Sequence, residues 1–205
     1  MSNIHQVVSV DVDSRWEYIQ RLGGVAAFIL AALLLVAIVL IAAGIQTGTI
    51  FHENFLVLIF KLHAGFNGVL EDSLDRLSLL DIAIMTLVSV VSLALYPILK
   101  RVNKVWSIVM VSLPIIGLLL FILTHGIGRS GIIAAGLIIS ILMLRSEIFR
   151  VRTAYLGILG NIALLVSDVG TAFTYSVIFA IILGIGYVLS TMWYILVGLR
   201  LIKPG

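Results

Sequence analysis

One acidic residue, Asp168, lies well inside an apolar segment at residues 155–173. A carboxylate inside a bilayer is costly, and by default it indicates function together with a polar partner. Asn161 falls on the same face at helical spacing. The candidate partners are Asp81, in another apolar segment, and Arg129 and His125, which lie between the third and fourth apolar segments of the chain. These five residues predict either a ligand or proton site, or a structural ion pair or hydrogen-bonded neutral acid.

Three histidines, His52, His63 and His125, are predicted on the same side of the membrane as several carboxylates. Three imidazoles and a carboxylate could bind zinc or another divalent ion. No HxxxH or HxxH spacing supplies a preformed ligand pair, so the identity of any metal is unknown. Haem b held by His63 and His125 is a further alternative, but we predict no cofactor.

Two motifs overlap at residues 126–131. The run Gly126–Gly131 matches GxGxxG, but a membrane segment precedes it instead of the strand that a dinucleotide site requires. We therefore predict a flexible turn. Gly128-Arg129-Ser130-Gly131 resembles the GxSG motif of rhomboid proteases, yet residues 177–203 contain no histidine to act as the base. An intramembrane serine enzyme remains a minor alternative.

Composition predicts an all-α integral membrane protein. Hydrophobic residues make up 61% of the 205-residue chain and charged residues only 11%, too few to cover a soluble surface. About 20 apolar residues cross a bilayer, and six such segments leave no room for a soluble domain. We expect one polytopic domain over residues 1–205, a six-transmembrane-helix bundle, with these spans: 23–44, 79–99, 105–124, 131–144, 155–173 and 177–199.

Polar or small residues recur at helical spacing on the second, fifth and sixth spans. Such stripes are typical of helix–helix packing, because small residues allow close approach and hydroxyls bond across helices. The alternative is a polar cavity between these three spans. The stripes consist of Asp81, Ser89, Ser92 and Tyr96; Gly157, Asn161, Asp168 and Ala172; and Gly184, Tyr187, Thr191, Tyr194 and Gly198.

The basic residues predict an orientation. Threaded through six spans, ten of the thirteen Lys and Arg residues fall on one side, which is the cytoplasmic side by the positive-inside rule. We therefore expect a multi-pass protein of the plasma membrane with both termini cytoplasmic. Residues 1–20 form a cytoplasmic tail and interfacial helix, in which Ser14 and Glu17 have the spacing of a capping box. The ten residues are Arg15, Arg21, Lys100, Arg101, Lys104, Arg145, Arg150, Arg152, Arg200 and Lys203.

Residues 47–78 form the predicted extracytoplasmic segment between spans one and two. The apolar run Phe55–Phe60 is too short to cross a bilayer, and Lys61 and His63 interrupt its continuation. Apolar residues from Phe55 to Phe66 share one helical face, which is typical of a helix lying in the membrane interface. A re-entrant segment is the alternative.

The run from Leu77 to Gly170 resembles an uncharacterised family of six-span bacterial membrane proteins, domain of unknown function 4386. The resembling pieces are residues 95–104 (LYPILKRVNK) at the second turn and residues 155–160 (YLGILG) opening span five. A long outer segment after the first span is also similar. The family has no assigned activity, so the resemblance implies a topology and no catalytic residues.

These observations favour a non-enzymatic role, as an accessory or interaction subunit. The first alternative is a small transporter or channel with a polar cavity around Asp168. The second is an intramembrane enzyme with a metal or serine site, so enzymatic activity is uncertain. The expected partners are the lipid bilayer and either another membrane protein or further copies of this chain. Nucleic acid is not expected, because the basic residues sit in short turns.

Overall fold

The structure is a computed structural model that describes residues 14–46, 79–124, 129–173 and 177–203. Within those ranges the chain is helical apart from short turns, and it contains no strand. The described part of the first helix begins at Ser14. The helices are α1 (Ser14–Gln46), α2 (Leu79–Leu99), α3 (Lys104–Thr124), α4 (Arg129–Leu144), α5 (Val151–Phe173) and α6 (Val177–Ile202).

Five of these helices, all but α4, are long and apolar enough to cross a membrane. The predicted class of an α-helical membrane protein is confirmed to that extent. Helix α4 has 16 residues, or about 24 Å at 1.5 Å per residue, and this is less than the hydrocarbon thickness of about 30 Å. A sixth crossing therefore stays a prediction. The predicted interfacial helix in residues 47–78 lies outside the described residues.

The described helices form a ring in which each helix packs on its neighbours in the chain and α6 returns to α1. Helix α2 also touches α4 across the ring. All six helices contribute to one hydrophobic core. Burial of this shared core holds the ring together by close packing, which is the main attraction between helices in lipid. Its members include Leu30, Val91, Met110, Ile139, Ala154 and Trp193, one from each helix.

Contacts between small residues show that neighbouring helices run antiparallel. Gly23 near the start of α1 faces Ala94 near the end of α2. Gly24 and Gly198 are in reciprocal contact: a Cβ on either glycine would lie 3.1 Å from the carbonyl oxygen of the other. Helices α1 and α6 therefore cross with their backbones nearly touching, and the first and last helices close the ring.

Because the helices alternate in direction, nine basic residues gather at one end of the ring, here called the basic end. The aromatic ring of Trp16 in α1 lies 5.6 Å from Lys100 Nζ at the end of α2, and this contact brings the two helix ends together. The residues of the basic end are Arg21, Lys100, Arg101, Lys104, Arg145, Arg150, Arg152, Arg200 and Lys203.

Candidate functional site

Two buried polar side chains, Ser140 and Asn161, lie at the contact between α4 and α5. Gly136 and Ser140 on α4 face Gly157 and Asn161 on α5, with the same four-residue spacing on both helices. A Cβ on Gly136 would overlap Asn161 Oδ1, and a Cβ on Gly157 would overlap Ser140 Oγ. Each polar side chain therefore occupies the space above the glycine of the opposite helix. We call these four residues the α4–α5 interlock.

Both polar side chains of the interlock hydrogen-bond to their own helix. Ser140 Oγ donates to the Gly136 carbonyl at 2.7 Å, and Asn161 Nδ2 donates to the Gly157 carbonyl at 2.7 Å. Ser140 is fully buried and Asn161 nearly so. A hydrogen-bond donor buried among apolar groups costs free energy unless it is paired. Both side chains pair with a backbone carbonyl one turn earlier in their own helix, so neither needs a polar group on another helix. The interlock is thus compatible with a dry interior.

A third helix reaches the interlock through Trp193 of α6. Its Nε1 would lie 2.6 Å from a Cβ on Gly157, so the indole lies directly against this glycine. The side chain is fully buried and packs edge-on against Tyr194, with ring centroids 4.7 Å apart. The indole N–H has no hydrogen-bond partner in the described part of the chain. Helices α4, α5 and α6 therefore meet at Gly157.

Other small and polar residues of α5 and α6, outside the predicted stripes, also bring these two helices into contact. A Cβ on Gly160 would lie 2.9 Å from Ser190 Oγ, so these helices approach closely at that level. Further towards the other end, Ser167 Oγ donates to the Phe179 carbonyl at 2.9 Å. Thr191 Oγ1 donates to the carbonyl of Tyr187 within α6. These contacts hold α5 and α6 together beside the predicted stripes, and the choice between helix packing and a polar cavity for the stripes themselves stays a prediction.

The polar stripe of α2 lies elsewhere in the ring. Helix α2 packs mainly on α1, α3 and α4, whereas α5 and α6 pack on each other. Ser89 Oγ donates to the Met85 carbonyl at 2.8 Å, and Ser92 is fully buried. A polar cavity between the second, fifth and sixth spans would need α2 to lie beside α5 and α6. In the described residues α2 makes no extensive contact with either helix.

Asp168 is half-buried on α5, between the buried Ser167 and the exposed Val169. Asn161 lies on the same face, where it belongs to the interlock. Two candidate partners of Asp168, Asp81 and Arg129, lie in the first turns of α2 and α4. The structure describes their backbones but not their side chains. His125 lies outside them altogether. Pairing of Asp168 with any of the three stays a prediction.

The register of the interlock bears on this pairing. Gly136 lies opposite Asn161, and Ser140 lies opposite Gly157, in antiparallel helices. Moving about two turns back along α4 from Gly136 leads to Arg129, and about two turns forward along α5 from Asn161 leads to Asp168. Both steps return to the same helix face. The backbone register therefore places positions 129 and 168 at the same level on facing surfaces.

The residues on which the enzymatic alternatives depend are only partly described by the structure. Ser130 of the GxSG motif is exposed in the first turn of α4. The candidate metal ligands His52, His63 and His125 all lie outside the described ranges. Within those ranges no group of three or more His, Cys, Asp or Glu side chains is arranged to hold a metal ion.

Sequence periodicity singles out Gly157 and Asn161 but not Gly136, Ser140 or Trp193. The available signal is the repeated four-residue spacing, Gly-x-x-x-Ser in α4 and Gly-x-x-x-Asn in α5, which resembles small-residue packing motifs of membrane helices. Only the register of the two helices shows that these motifs face each other.

Comparisons with models of protein families, with curated proteins and with solved structures gave no match. Any function proposed for this chain therefore rests on its own residues and packing.

Gly157→Ala is expected to destabilise the protein. The added methyl group would overlap Ser140 Oγ and the Trp193 indole, and overpacking of this kind costs about 1–3 kcal/mol. Gly184→Ala is the matched control, because a Cβ there meets nothing within 4 Å. Its effect should be neutral or stabilising by up to about 1 kcal/mol, because alanine has the higher helix propensity. Denaturant unfolding of the purified protein in detergent measures both, and equal losses would contradict close packing at Gly157.

Asp168 and Arg129 are predicted to interact. Asp168→Asn and Arg129→Gln should each reduce the free energy of unfolding, because each strands the other's charge. The double variant should lose less than the sum of the single losses, by about 0.5–3 kcal/mol. Asp168→Asn combined with Arg145→Gln at the far end of α4 is the control and should be additive. Additivity for Asp168→Asn with Arg129→Gln as well would rule out this pair, and an Asp168→Asn variant of nearly unchanged stability would then indicate Asp81 as the partner.

Proposed function

We propose that the protein is a multi-pass membrane protein that works without catalysis, as an accessory or interaction subunit. The proposal is supported by the way in which buried polar side chains pack between helices and pair with backbone carbonyls. At the junction of α4, α5 and α6, Ser140 and Asn161 hydrogen-bond to their own helices and fill the space above opposing glycines. Polar residues used in this way hold helices together.

A transport pathway would need these polar groups for a different purpose. It requires side chains that remain open to water or substrate along a route across the membrane. The core at this junction is instead occupied by the fully buried Trp193, packed against Gly157 and Tyr194. In the described part of the ring, this packing favours an accessory or interaction subunit over a transporter or channel.

The surface of α3 suits a membrane-protein partner. Helix α3 is the least buried of the five helices that could span a membrane. Its outward residues form a broad apolar face that lipid or another transmembrane helix can cover. These residues include Ile115, Ile116, Leu119, Leu120, Ile122 and Leu123. We propose that this face contacts either a different membrane protein or a second copy of the chain.

Membrane location and orientation belong to the same proposal. We place the protein in the plasma membrane with the basic end cytoplasmic, because nine Lys and Arg residues gather there and basic residues are retained on that side. We also propose membership of the uncharacterised six-span family that residues 77–170 resemble, which would imply the same topology.

Cysteine accessibility tests the orientation. The chain has no cysteine, so single cysteines can be introduced without interference. Glu147→Cys at the exposed turn of the basic end should be protected from an impermeant thiol reagent in intact cells, whereas Ser73→Cys should react. Cell lysis should make Glu147→Cys reactive and serves as its control. The reversed pattern in intact cells would show that the orientation is inverted.

Site-specific photocrosslinking and flux measurements test the role. A photoreactive residue at Leu119 of α3, 55% exposed, should give one discrete protein adduct in membranes. The matched position Leu159 of α5, 54% exposed, should give lipid adducts only. Proteoliposomes should show no proton or cation flux above that of empty vesicles. Flux that Asp168→Asn abolishes would replace this proposal with the transporter around Asp168.

A further inference from the structure

A shallow depression lies at the basic end, in the turn between α4 and α5. It has a volume of about 590 Å³ and is lined by residues 147–152. The turn is held by the buried Phe149 and by a hydrogen bond from the Ile148 N–H to Ser146 Oγ. The depression therefore belongs to a turn that is anchored to the rest of the protein.

The charge of this depression is positive. Arg150 and Arg152 are both exposed, and Glu147 is the one carboxylate in the lining. Among the described side chains, Arg21 and Glu17 of α1 form an ion pair, and neither arginine of the depression takes part in it. The two guanidinium groups are thus available to an anion, and guanidinium binds phosphate oxygens in a bidentate geometry.

An apolar stripe begins directly beside Arg152 and continues along the outer face of α5. Its residues follow one another at spacings of three and four, so they share one side of the helix. Each is about half exposed, which leaves the stripe open along the described length of α5. The residues are Tyr155, Leu159, Ile162, Val166 and Val169.

We propose that this surface binds an anionic phospholipid. The phosphate group lies on Arg150 and Arg152, and one acyl chain lies along the α5 stripe. A phospholipid fits better than free phosphate, because exposed charges alone bind weakly in salt, whereas the stripe adds apolar contact. The inference rests on membrane insertion, as proposed above, but not on the accessory role.

Lipid binding to the purified full-length protein tests this inference. Native mass spectrometry with phosphatidylglycerol and phosphatidylcholine in equal amounts should show a preference for phosphatidylglycerol. The variant Arg150→Gln/Arg152→Gln should lose roughly 25-fold in affinity at low salt, about five-fold for each arginine. Arg101→Gln/Lys104→Gln is the matched control: it removes the same charge from the same end and should retain most of the preference.

Several outcomes would overturn the inference. Equal losses in both variants would mean that the whole basic end attracts lipid without a site. Competition by inorganic phosphate at concentrations similar to those of the lipid would indicate a free-anion site. An unchanged preference in Arg150→Gln/Arg152→Gln would exclude these arginines. If the protein binds neither lipid and the cysteine reactivities show no insertion, the membrane proposal fails instead.

Discussion

The reciprocal packing of α4 on α5 sets the arrangement of the rest of the described core. Two glycines accept the polar side chains of the opposite helix, and both side chains are hydrogen-bonded to their own backbones. Lipid offers no hydrophobic drive for helices to associate, so close approach and paired polar groups must supply the attraction. The same glycine, Gly157, receives Trp193 of α6, and this contact extends the interlock to a third helix.

Ring closure follows from a second close approach. Gly24 and Gly198 let α1 and α6 meet backbone to backbone, so the first and last helices become neighbours. With all neighbours antiparallel, the turns that carry Lys and Arg meet at one end. The sequence places Lys and Arg in alternate turns, and antiparallel helix packing brings these turns together into the concentrated positive charge that we expect to attract anionic lipid. The packing also leaves α3 as the most open apolar face.

Asp168 differs from the other intramembrane polar residues. Ser140, Asn161 and Thr191 all bond to carbonyls one turn earlier in their own helices, a solution open to short donors. An ionised carboxylate has no N–H or O–H to donate, so it needs an external donor or cation. The antiparallel register aligns position 129 with it, and an arginine there would meet that need. Pairing of Asp168 with Arg129 stays a prediction.

The sequence by itself determined the helical membrane class, the boundaries of α2 to α6 to within four residues and the distribution of basic residues between turns. These features depend on local composition and on the length needed to cross lipid. Only the tertiary structure decided which helices touch, that Gly136 and Ser140 complete the motif begun by Gly157 and Asn161, and that Trp193 covers it. Register and ring order depend on contacts between residues far apart in the chain, and periodicity within one helix carries no information about its partner.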